Sequence, residues 1–311
     1  KGCRPALRRC RPPMADAGEG QAPVCPGPPA AQRGATRFRV PRGAVDTHAH
    51  VIGAPPRYPL VTPRSYTPPP AGAQAYLAML DATSMDYGVL TQISVHGTDN
   101  RLLVETLRAH RQRLRGIAVI APDCSDRERA ALDEAGVVGL RINMMYRGGG
   151  IGFDQIETYG EICREMGWHL QFLIDAGDLP ALATRLAKLP VPFLVDHMGH
   201  FPTSRGVDCP GFTTLLALVR DGAWVRLSGA YRNSAQSPNY SDTLQFAQKL
   251  IEAAPQCCVW GSDWPHVANW HAMPQVADLL DLLADWAPDE TTRNCILTDN
   301  PQRLFGFPPT A

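Results

Sequence analysis

From Phe38 onward, short apolar runs alternate with stretches in which apolar residues recur every three or four positions. The short runs are rich in β-branched residues and predict eight strands, at 44–50, 89–94, 116–120, 139–144, 169–174, 193–197, 224–228 and 258–262. The stretches with helical spacing predict eight helices, at 73–85, 102–111, 127–135, 156–166, 179–189, 212–220, 243–253 and 276–286.

This alternation indicates a parallel sheet, because strands that are apolar along their length and separated by crossover helices pair in parallel. Eight such units in about 250 residues are typical of a closed (β/α)₈ TIM barrel. An open doubly wound sheet is the alternative. However, no Gly-x-Gly-x-x-Gly follows the first strand, and no phosphate-binding Walker loop is present. We therefore expect residues 37–311 to form one barrel domain.

Residues 1–36 differ in composition: they are rich in Arg, Pro, Gly and Ala and almost lack large apolar side chains. Such a segment cannot bury enough surface to offset the entropy lost on ordering, so we expect a disordered tail. Its cationic start lacks the apolar stretch of about 7–15 residues that a signal peptide requires. Met14 is a candidate initiator, which would leave residues 1–13 outside the native protein.

The charges balance, since the 311 residues include 30 Lys and Arg and 30 Asp and Glu. This balance argues against binding to nucleic acid or to an anionic membrane surface. No apolar run approaches the roughly 20 residues needed to cross a bilayer. The nine cysteines form no C-x-x-C pair. We expect a soluble cytoplasmic enzyme with reduced thiols, and the sequence leaves open whether it forms a homo-oligomer.

The candidate chemistry lies at strand ends, because a barrel of this kind carries its active site at the carboxyl ends of the strands. The first strand ends in Asp-Thr-His-Ala-His, where His48 and His50 are two positions apart and project from the same face. The sixth strand supplies His197 and the eighth supplies Asp263. By strand alternation, Asp196 is expected to point away from the barrel interior. The pattern predicts three imidazoles and one carboxylate around one site.

Each of these residues also has a structural explanation. A single histidine at a strand end is commonly structural, and an aspartate after a strand often caps the next helix. Four such residues at the same face of the barrel favour a functional site. A barrel that binds a ligand without catalysis is the weaker alternative.

The motifs VDTHAHV at the first strand, VDHMG at the sixth and GSDWPH at the eighth resemble the amidohydrolase superfamily. Within it, they are similar to the lactone hydrolases typified by 2-pyrone-4,6-dicarboxylate lactonase, and also to 4-sulfomuconolactone hydrolase. HGTDN, RGIAVI and GLRIN extend the resemblance over roughly residues 40–307. The resemblance implies the same barrel and the hydrolysis of an anionic lactone from aromatic degradation. Hydrolysis of a sugar-acid lactone, zinc-dependent decarboxylation and lactone isomerisation are the alternatives.

The metal content can be argued from the strands. A binuclear member of the superfamily adds a lysine on the fourth strand, where this chain has Arg141, and a histidine at the end of the fifth, which is lacking here. One Zn²⁺ held by His48, His50 and Asp263 remains chemically sensible, since three N/O ligands plus water make a catalytic zinc site. The lactonases that the chain resembles are understood to work without an obligatory metal, so we expect that no cofactor is required.

The expected reaction is the attack of an activated water on a lactone carbonyl. Asp263 would act as the general base and would later return its proton to the leaving oxygen. His48, His50 and His197 would supply N–H donors and some positive charge around the carbonyl oxygen. Each such donor typically contributes about 100- to 1000-fold in rate.

The resemblance further implies substrate-binding residues. Arg141, Arg147 and Arg232 would bind substrate carboxylates, because guanidinium pairs with carboxylate in bidentate fashion. Tyr66, in the loop after the first strand, would donate a hydroxyl group. His200 stands where the dicarboxylate lactonase has an arginine, and an imidazole is neutral at pH 7 when its pKa is ordinary. This difference leaves a different second anion or a smaller substrate as an alternative.

The segment HGTDN after the second strand is expected to close over the ligand. His96 is a candidate for contact with the substrate or with a residue that binds it, and Thr98 is a candidate hydrogen-bonding group. The alternative is that Asp99 or Asn100 only caps the following helix.

Overall fold

A computed structural model of the chain describes residues 22–32, 34, 36–148 and 152–309. In these ranges, eight strands form one sheet in sequence order, and each strand pairs in parallel with the next. They are β1 (Val45–Ala49), β2 (Tyr87–Thr91), β3 (Leu114–Ala118), β4 (Val137–Asn143), β5 (His169–Leu173), β6 (Phe193–Val195), β7 (Trp224–Leu227) and β8 (Cys258–Trp260).

The sheet closes between β8 and β1 through the residues that follow β8. The Asp263 N–H donates to the carbonyl oxygen of His48 at 2.9 Å, and the His50 N–H donates to that of Trp264 at 2.8 Å. Ala49 and Trp264 also form a parallel bridge. Backbone pairing across this seam excludes the open doubly wound sheet. The predicted (β/α)₈ barrel is confirmed.

Helices follow the strands on the outside of the barrel. All eight predicted helices are present: α1 (Ala73–Ala82), α2 (Arg101–Ala109), α3 (Asp126–Ala135), α4 (Ile156–Met166), α5 (Leu179–Leu186), α7 (Pro210–Arg220), α9 (Leu244–Ala253) and α10 (Val276–Trp286). Within the described ranges, four further helices were not predicted: α6 (His197–His200), α8 (Ala230–Asn233), α11 (Glu290–Leu297) and α12 (Asp299–Phe305). The first two are four-residue turns, too short for a hydrophobic period.

The lower half of the barrel interior is mainly apolar, with His169 of β5 as a buried polar residue beside Phe305. A buried cluster contains strand side chains such as Val45, Val89 and Leu194. These pack together with Phe305 of α12 and with Phe307. The aromatic rings cover the amino-terminal mouth of the barrel, and full burial of one such side chain contributes about 1.5–3 kcal/mol. Polar groups are thereby concentrated at the carboxyl-terminal mouth.

Part of the segment predicted to be a disordered tail packs against this upper mouth. The Cys25 N–H donates to the carbonyl oxygen of Thr67 at 3.0 Å, and the Thr67 N–H donates to that of Pro23 at 2.8 Å. The Trp270 indole N–H donates to the carbonyl oxygen of Val24 at 3.0 Å. The expected disorder therefore does not extend to this stretch, because the loops after β1 and β8 provide hydrogen-bond partners that composition does not reveal. The domain boundary near residue 36 stays a prediction, and residues 1–21 lie outside the described ranges.

No helix in the described ranges is both long enough and apolar enough to span a bilayer.

Candidate active site

The four residues expected to form the site lie together at the carboxyl ends of β1, β6 and β8. Asp263 Oδ1 is 3.7 Å from His48 Nε2 and 3.9 Å from His50 Nε2. Asp263 Oδ2 is 3.8 Å from His197 Nε2. The ring centres of His50 and His197 lie 4.8 and 5.0 Å from that of His48. All four side chains are buried. One carboxylate and three imidazoles therefore share one space.

Unusual backbone geometry directs two of these side chains. His197 and Asp263 have φ values of 53° and 61°, in the left-handed region that residues other than glycine rarely adopt. Such a conformation costs about 1–3 kcal/mol and persists where the surrounding structure imposes it, often at functional sites. Gly261 allows β8 to approach β1 closely, since a Cβ there would lie 2.9 Å from the Cβ of His48. The loop after β8 is thus built to bring Asp263 to His48.

Asp263 Oδ2 is held by two donors from α8. Arg232 Nε donates to it at 2.5 Å and the Tyr231 hydroxyl donates to it at 2.7 Å. Burial is the largest single influence and would raise the pKa of Asp263, but the charge of Arg232, its hydrogen bond and the neighbouring side chains together outweigh burial and hold this pKa far below the ordinary value. Asp263 is therefore ionised. Tyr231 was missed from the sequence, although it precedes Arg232 directly and a phenol beside a candidate substrate-binding arginine was a signal.

His50 presents a lone pair to Asp263. Its Nδ1 lies 2.7 Å from the carbonyl oxygen of Thr91, which can only accept, so Nδ1 carries the proton and Nε2 does not. Burial, aided by Arg141, lowers the pKa of His50 to about 3. His50 is therefore a neutral acceptor at the site, whereas the sequence suggested an N–H donor.

The other two imidazoles are also neutral at pH 7. Burial is the main cause that lowers the pKa values of His48 and His197 well below 6.5. The Nδ1 atom of His197 shares a hydrogen bond of 2.8 Å with the Ser228 hydroxyl. The expectation that these rings contribute positive charge is corrected: burial, together with the positive charge of Arg226 near His48 and of Arg232 near His197, disfavours the charged form.

The positive charge near the site comes from arginines that share few carboxylates. Asp196 accepts a hydrogen bond from Arg141 Nη2 at 3.1 Å and another from Arg226 Nη1. The sequence placed Asp196 outside the barrel, and this was wrong. Leu194 of β6 packs in the barrel interior, and Asp196, two residues later, points to the same side. The left-handed backbone of His197 then turns its side chain toward that side as well. The Nε of Arg141 is buried and has no partner among the described residues.

A cavity of about 520 Å³ opens beside the two α8 side chains that hold Asp263. Its walls include Tyr231 and Arg232, which also contact Asp263, together with Tyr146, His200 and Trp270. Burial is the main cause that lowers the pKa of His200 to about 4, so this residue supplies no cation.

The remaining residues predicted to contact the substrate lie apart from one another. The Tyr66 hydroxyl lies 2.9 Å from Ser94 Oγ, and its ring meets that of Tyr146 edge-on. The Arg147 side chain is exposed, and its backbone N–H donates to Ser65 Oγ at 2.8 Å.

The segment after β2 does not deliver the expected contacts to this cavity. Both ring nitrogens of His96 bind backbone groups, the N–H of Gly53 at 3.1 Å and the carbonyl oxygen of Pro59 at 3.1 Å. Thr98 is exposed and lines a separate groove between α2 and α3. The reason is that the chain turns outward at Gly97, whose φ is 55°.

Two groups of side chains in the described residues could geometrically hold a metal ion. One consists of His48, His50 and Asp263, and the other of His48, Asp196 and His197. In the first group, His48 Nε2 and Asp263 Oδ1 are buried polar atoms without a hydrogen-bond partner among the described residues. These atoms enclose a position for a small polar species, either a water or a cation.

Known proteins resemble the chain over most of its length. The sequence model of the family described as amidohydrolase matches residues 45–307. The 4-sulfomuconolactone hydrolase of Hydrogenophaga intermedia is 36% identical over 275 residues, which are 87% of this chain and 91% of that protein. The 2-pyrone-4,6-dicarboxylate hydrolase of Comamonas testosteroni is 33% identical over 283 residues, 86% of this chain and 92% of that protein. A protein of Acinetobacter baumannii, solved with citric acid bound, superimposes with a TM-score of 0.76 at 26% identity and covers 85% of this chain and 100% of its own.

Proposed function

Because the chain belongs to the amidohydrolase family, we propose that it hydrolyses an anionic lactone of the kind formed when aromatic compounds are degraded. Two similar proteins bear the names of enzymes that hydrolyse such lactones, 4-sulfomuconolactone and 2-pyrone-4,6-dicarboxylate. The bound citric acid in a related structure is also a small polycarboxylate. These likenesses support an anionic substrate with an ester bond.

The observation that carries the proposal is the balance of buried charge around an ionised carboxylate. Arg141, Arg226 and Arg232 are buried at the upper mouth of the barrel, where Asp196 and Asp263 are their partners. The buried Nε of Arg141, which has no partner among the described residues, favours the binding of an anion. An exposed Arg147 at the rim adds to the attraction.

The site can hold the attacking water by its two protons. Asp263 Oδ1 and His50 Nε2 are both acceptors and lie 3.9 Å apart, so one water can donate to each. Asp263 then removes a proton as the water oxygen attacks the lactone carbonyl. Donors that surround the developing oxyanion stabilise it, and Asp263 returns its proton to the leaving oxygen as the ring opens.

Arg232 limits the strength of this base. An ideal general base has a pKa near the operating pH, and the contact with Arg232 holds the pKa of Asp263 far below that value. A substrate carboxylate that hydrogen-bonds to Arg232 shares this cation with Asp263. Binding of the anionic substrate therefore makes Asp263 more basic, and a neutral lactone would not have this effect.

We propose that the reaction needs no metal. A zinc ligand must present a lone pair. Nε2 of His50 does so, but Nδ1 of His48 accepts a hydrogen bond from Arg226 at 3.0 Å, which leaves the proton of the neutral ring on Nε2. The negative charge of Asp263 is already shared with Arg232 and Tyr231. The three residues do not fit a zinc ion in this arrangement.

We also place the enzyme in the cytoplasm, because the seven cysteines in the described part of the chain are free thiols, as expected in a reducing compartment.

A proton-release assay tests the function. The purified protein, with and without a chelator, is given 2-pyrone-4,6-dicarboxylate, 4-sulfomuconolactone and an uncharged sugar lactone, and the products are identified by mass. We expect acid release from a dianionic lactone at a rate that the chelator does not change. Release of CO₂, a ring isomer formed without acid, or activity that requires added Zn²⁺ would each contradict the proposal.

A further inference from the structure

Arg226 is a charged residue inside the barrel to which the sequence gave no role. It lies on β7, and its side chain is 0% exposed. Its Nε donates to Thr47 Oγ1 at 3.1 Å, and its Nη1 faces both Asp196 and His48 Nδ1. Both Nη atoms are also 3.4 Å from Gln171 Oε1. Acceptors on β1, β5 and the end of β6 thus fix the guanidinium group.

The chemistry of guanidinium restricts the neighbouring imidazole. Arginine has five N–H donors and no acceptor, and it stays protonated in proteins. The 3.0 Å contact with His48 Nδ1 therefore requires a lone pair on that nitrogen. Since the neutral ring carries a single N–H, its proton lies on Nε2, which faces Asp263 Oδ1 at 3.7 Å.

We propose that Arg226 is a positioning residue that fixes His48 as the Nε2–H tautomer, so that His48 offers a hydrogen-bond donor to the lactone carbonyl oxygen. The catalytic part of this statement rests on the proposed function. His50 has the opposite tautomer, because its Nδ1–H binds the carbonyl oxygen of Thr91. The two adjacent imidazoles then have different roles. The Nε2–H of His48 donates to the oxyanion, and Nε2 of His50 accepts a hydrogen bond from the water.

The same contact decides whether the site can bind a metal ion. Zinc coordination by His48 Nε2 would move the proton to Nδ1, where two N–H donors would then oppose each other at 3.0 Å. Without Arg226, Nδ1–H of His48 could turn to Asp196, whose Oδ1 is 4.0 Å away. A carboxylate that receives the second N–H of a histidine is the common arrangement behind a metal ligand. Arg226 therefore keeps His48 from becoming one.

The tautomer can be measured directly in the intact wild-type protein. Long-range ¹H–¹⁵N NMR of ¹⁵N-histidine-labelled protein distinguishes protonated from unprotonated ring nitrogens, and His48→Asn identifies the His48 signals. We expect a protonated Nε2 and an unprotonated Nδ1 near pH 7. A protonated Nδ1 in the wild type would overturn the proposal. This result needs no substrate, so it remains valid even if no lactone is hydrolysed.

Two variants test the consequences. In Arg226→Met, we expect the His48 tautomer to change, calorimetric affinity for Zn²⁺ to rise at least tenfold, and kcat without metal to fall about 100-fold, the typical effect of losing one oxyanion donor. Arg226→Lys keeps a donor, so its tautomer and zinc affinity should match the wild type and its kcat should lie within tenfold. If Arg226→Met keeps the Nε2–H tautomer, or if Arg226→Lys behaves like Arg226→Met, the proposal fails. Should Arg226→Met not fold, as judged by circular dichroism, the wild-type spectrum decides alone.

Discussion

Replacing Asp263 by asparagine removes the proposed base with little change in shape. The asparagine oxygen can still accept hydrogen bonds from Tyr231 and Arg232, which donate to Oδ2 of Asp263 at 2.7 and 2.5 Å. Its amide group then occupies the position of Oδ1, 3.9 Å from the lone pair of His50. The amide donates where the carboxylate accepts, so the water loses the group that takes its proton.

The size of the effect follows from the role. General-base catalysis contributes about 10²–10⁴-fold, so we expect kcat for Asp263→Asn to fall by about this factor, or about 2.7–5.5 kcal/mol in the activation barrier. The change also leaves the buried Arg232 without its carboxylate. Removing one partner of a buried ion pair costs about 3–5 kcal/mol, so the variant should also unfold at lower urea concentration.

To separate the loss of kcat from the loss of stability, kcat is measured only on protein that circular dichroism shows to be folded. The assay uses saturating lactone and an indicator dye for the released protons. Asp175→Asn is the matched control: Asp175 also follows a strand and pairs with an arginine, Arg205, at 2.8 Å, but its side chain hydrogen-bonds to Gly177 and Arg205 and not to the groups around Asp263. Its kcat should stay close to that of the wild type. A loss of less than tenfold in folded Asp263→Asn would refute the base assignment.

Three further predictions concern binding and stability. Arg147→Ala should raise KM much more than it lowers kcat, because the exposed arginine attracts the anion before reaction; steady-state kinetics with an unchanged KM would count against this. The free energy of unfolding in urea should fall as the pH is lowered from 6.5 to about 4. Burial lowers the pKa values of His50 and His169 to about 3, so in this pH range the unfolded chain binds more protons than the folded one. Each of these histidines should lower the free energy of unfolding by about 1.4 kcal/mol per pH unit. Burial raises the pKa of Asp46 to about 6, so this one carboxyl group opposes the effect of the two histidines without cancelling it. A flat or inverted pH profile of the unfolding free energy would therefore contradict the assigned pKa shifts. Phe305→Ala should lower the free energy of unfolding by about 3–5 kcal/mol while the folded enzyme keeps its kcat, and a loss below about 1 kcal/mol would show that Phe305 is not tightly packed in the buried cluster at the amino-terminal mouth.

The sequence predicted the barrel because short, mainly apolar strand segments alternate with longer segments in which apolar residues recur at helical spacing. These periodicities are local, so they can be recognised in the sequence without knowledge of the contacts. It also placed His48, His50 and Asp263 together, since the topology of a parallel barrel brings all carboxyl strand ends to one mouth. The family resemblance identified the same positions.

What the sequence did not predict depends on contacts between distant segments. The direction of Asp196 follows from the left-handed backbone at His197, which alternation along a regular strand does not foresee. The tautomers of His48 and His50 depend on Arg226 and Thr91, which come from other strands. An arginine within the apolar run of β7 was a visible signal of a buried polar network, but its partners could be known only from the fold.

Single-turnover hydrolysis in H₂¹⁸O tests most directly whether Asp263 activates a water that opens an anionic lactone. With enzyme in excess over substrate, we expect one ¹⁸O atom in the new carboxylate of the product from the first turnover and none in Asp263. An unlabelled first product with ¹⁸O later found in the Asp263 side chain would show direct attack by the carboxylate. An unlabelled product with no acid released would show isomerisation. Either result would contradict the account.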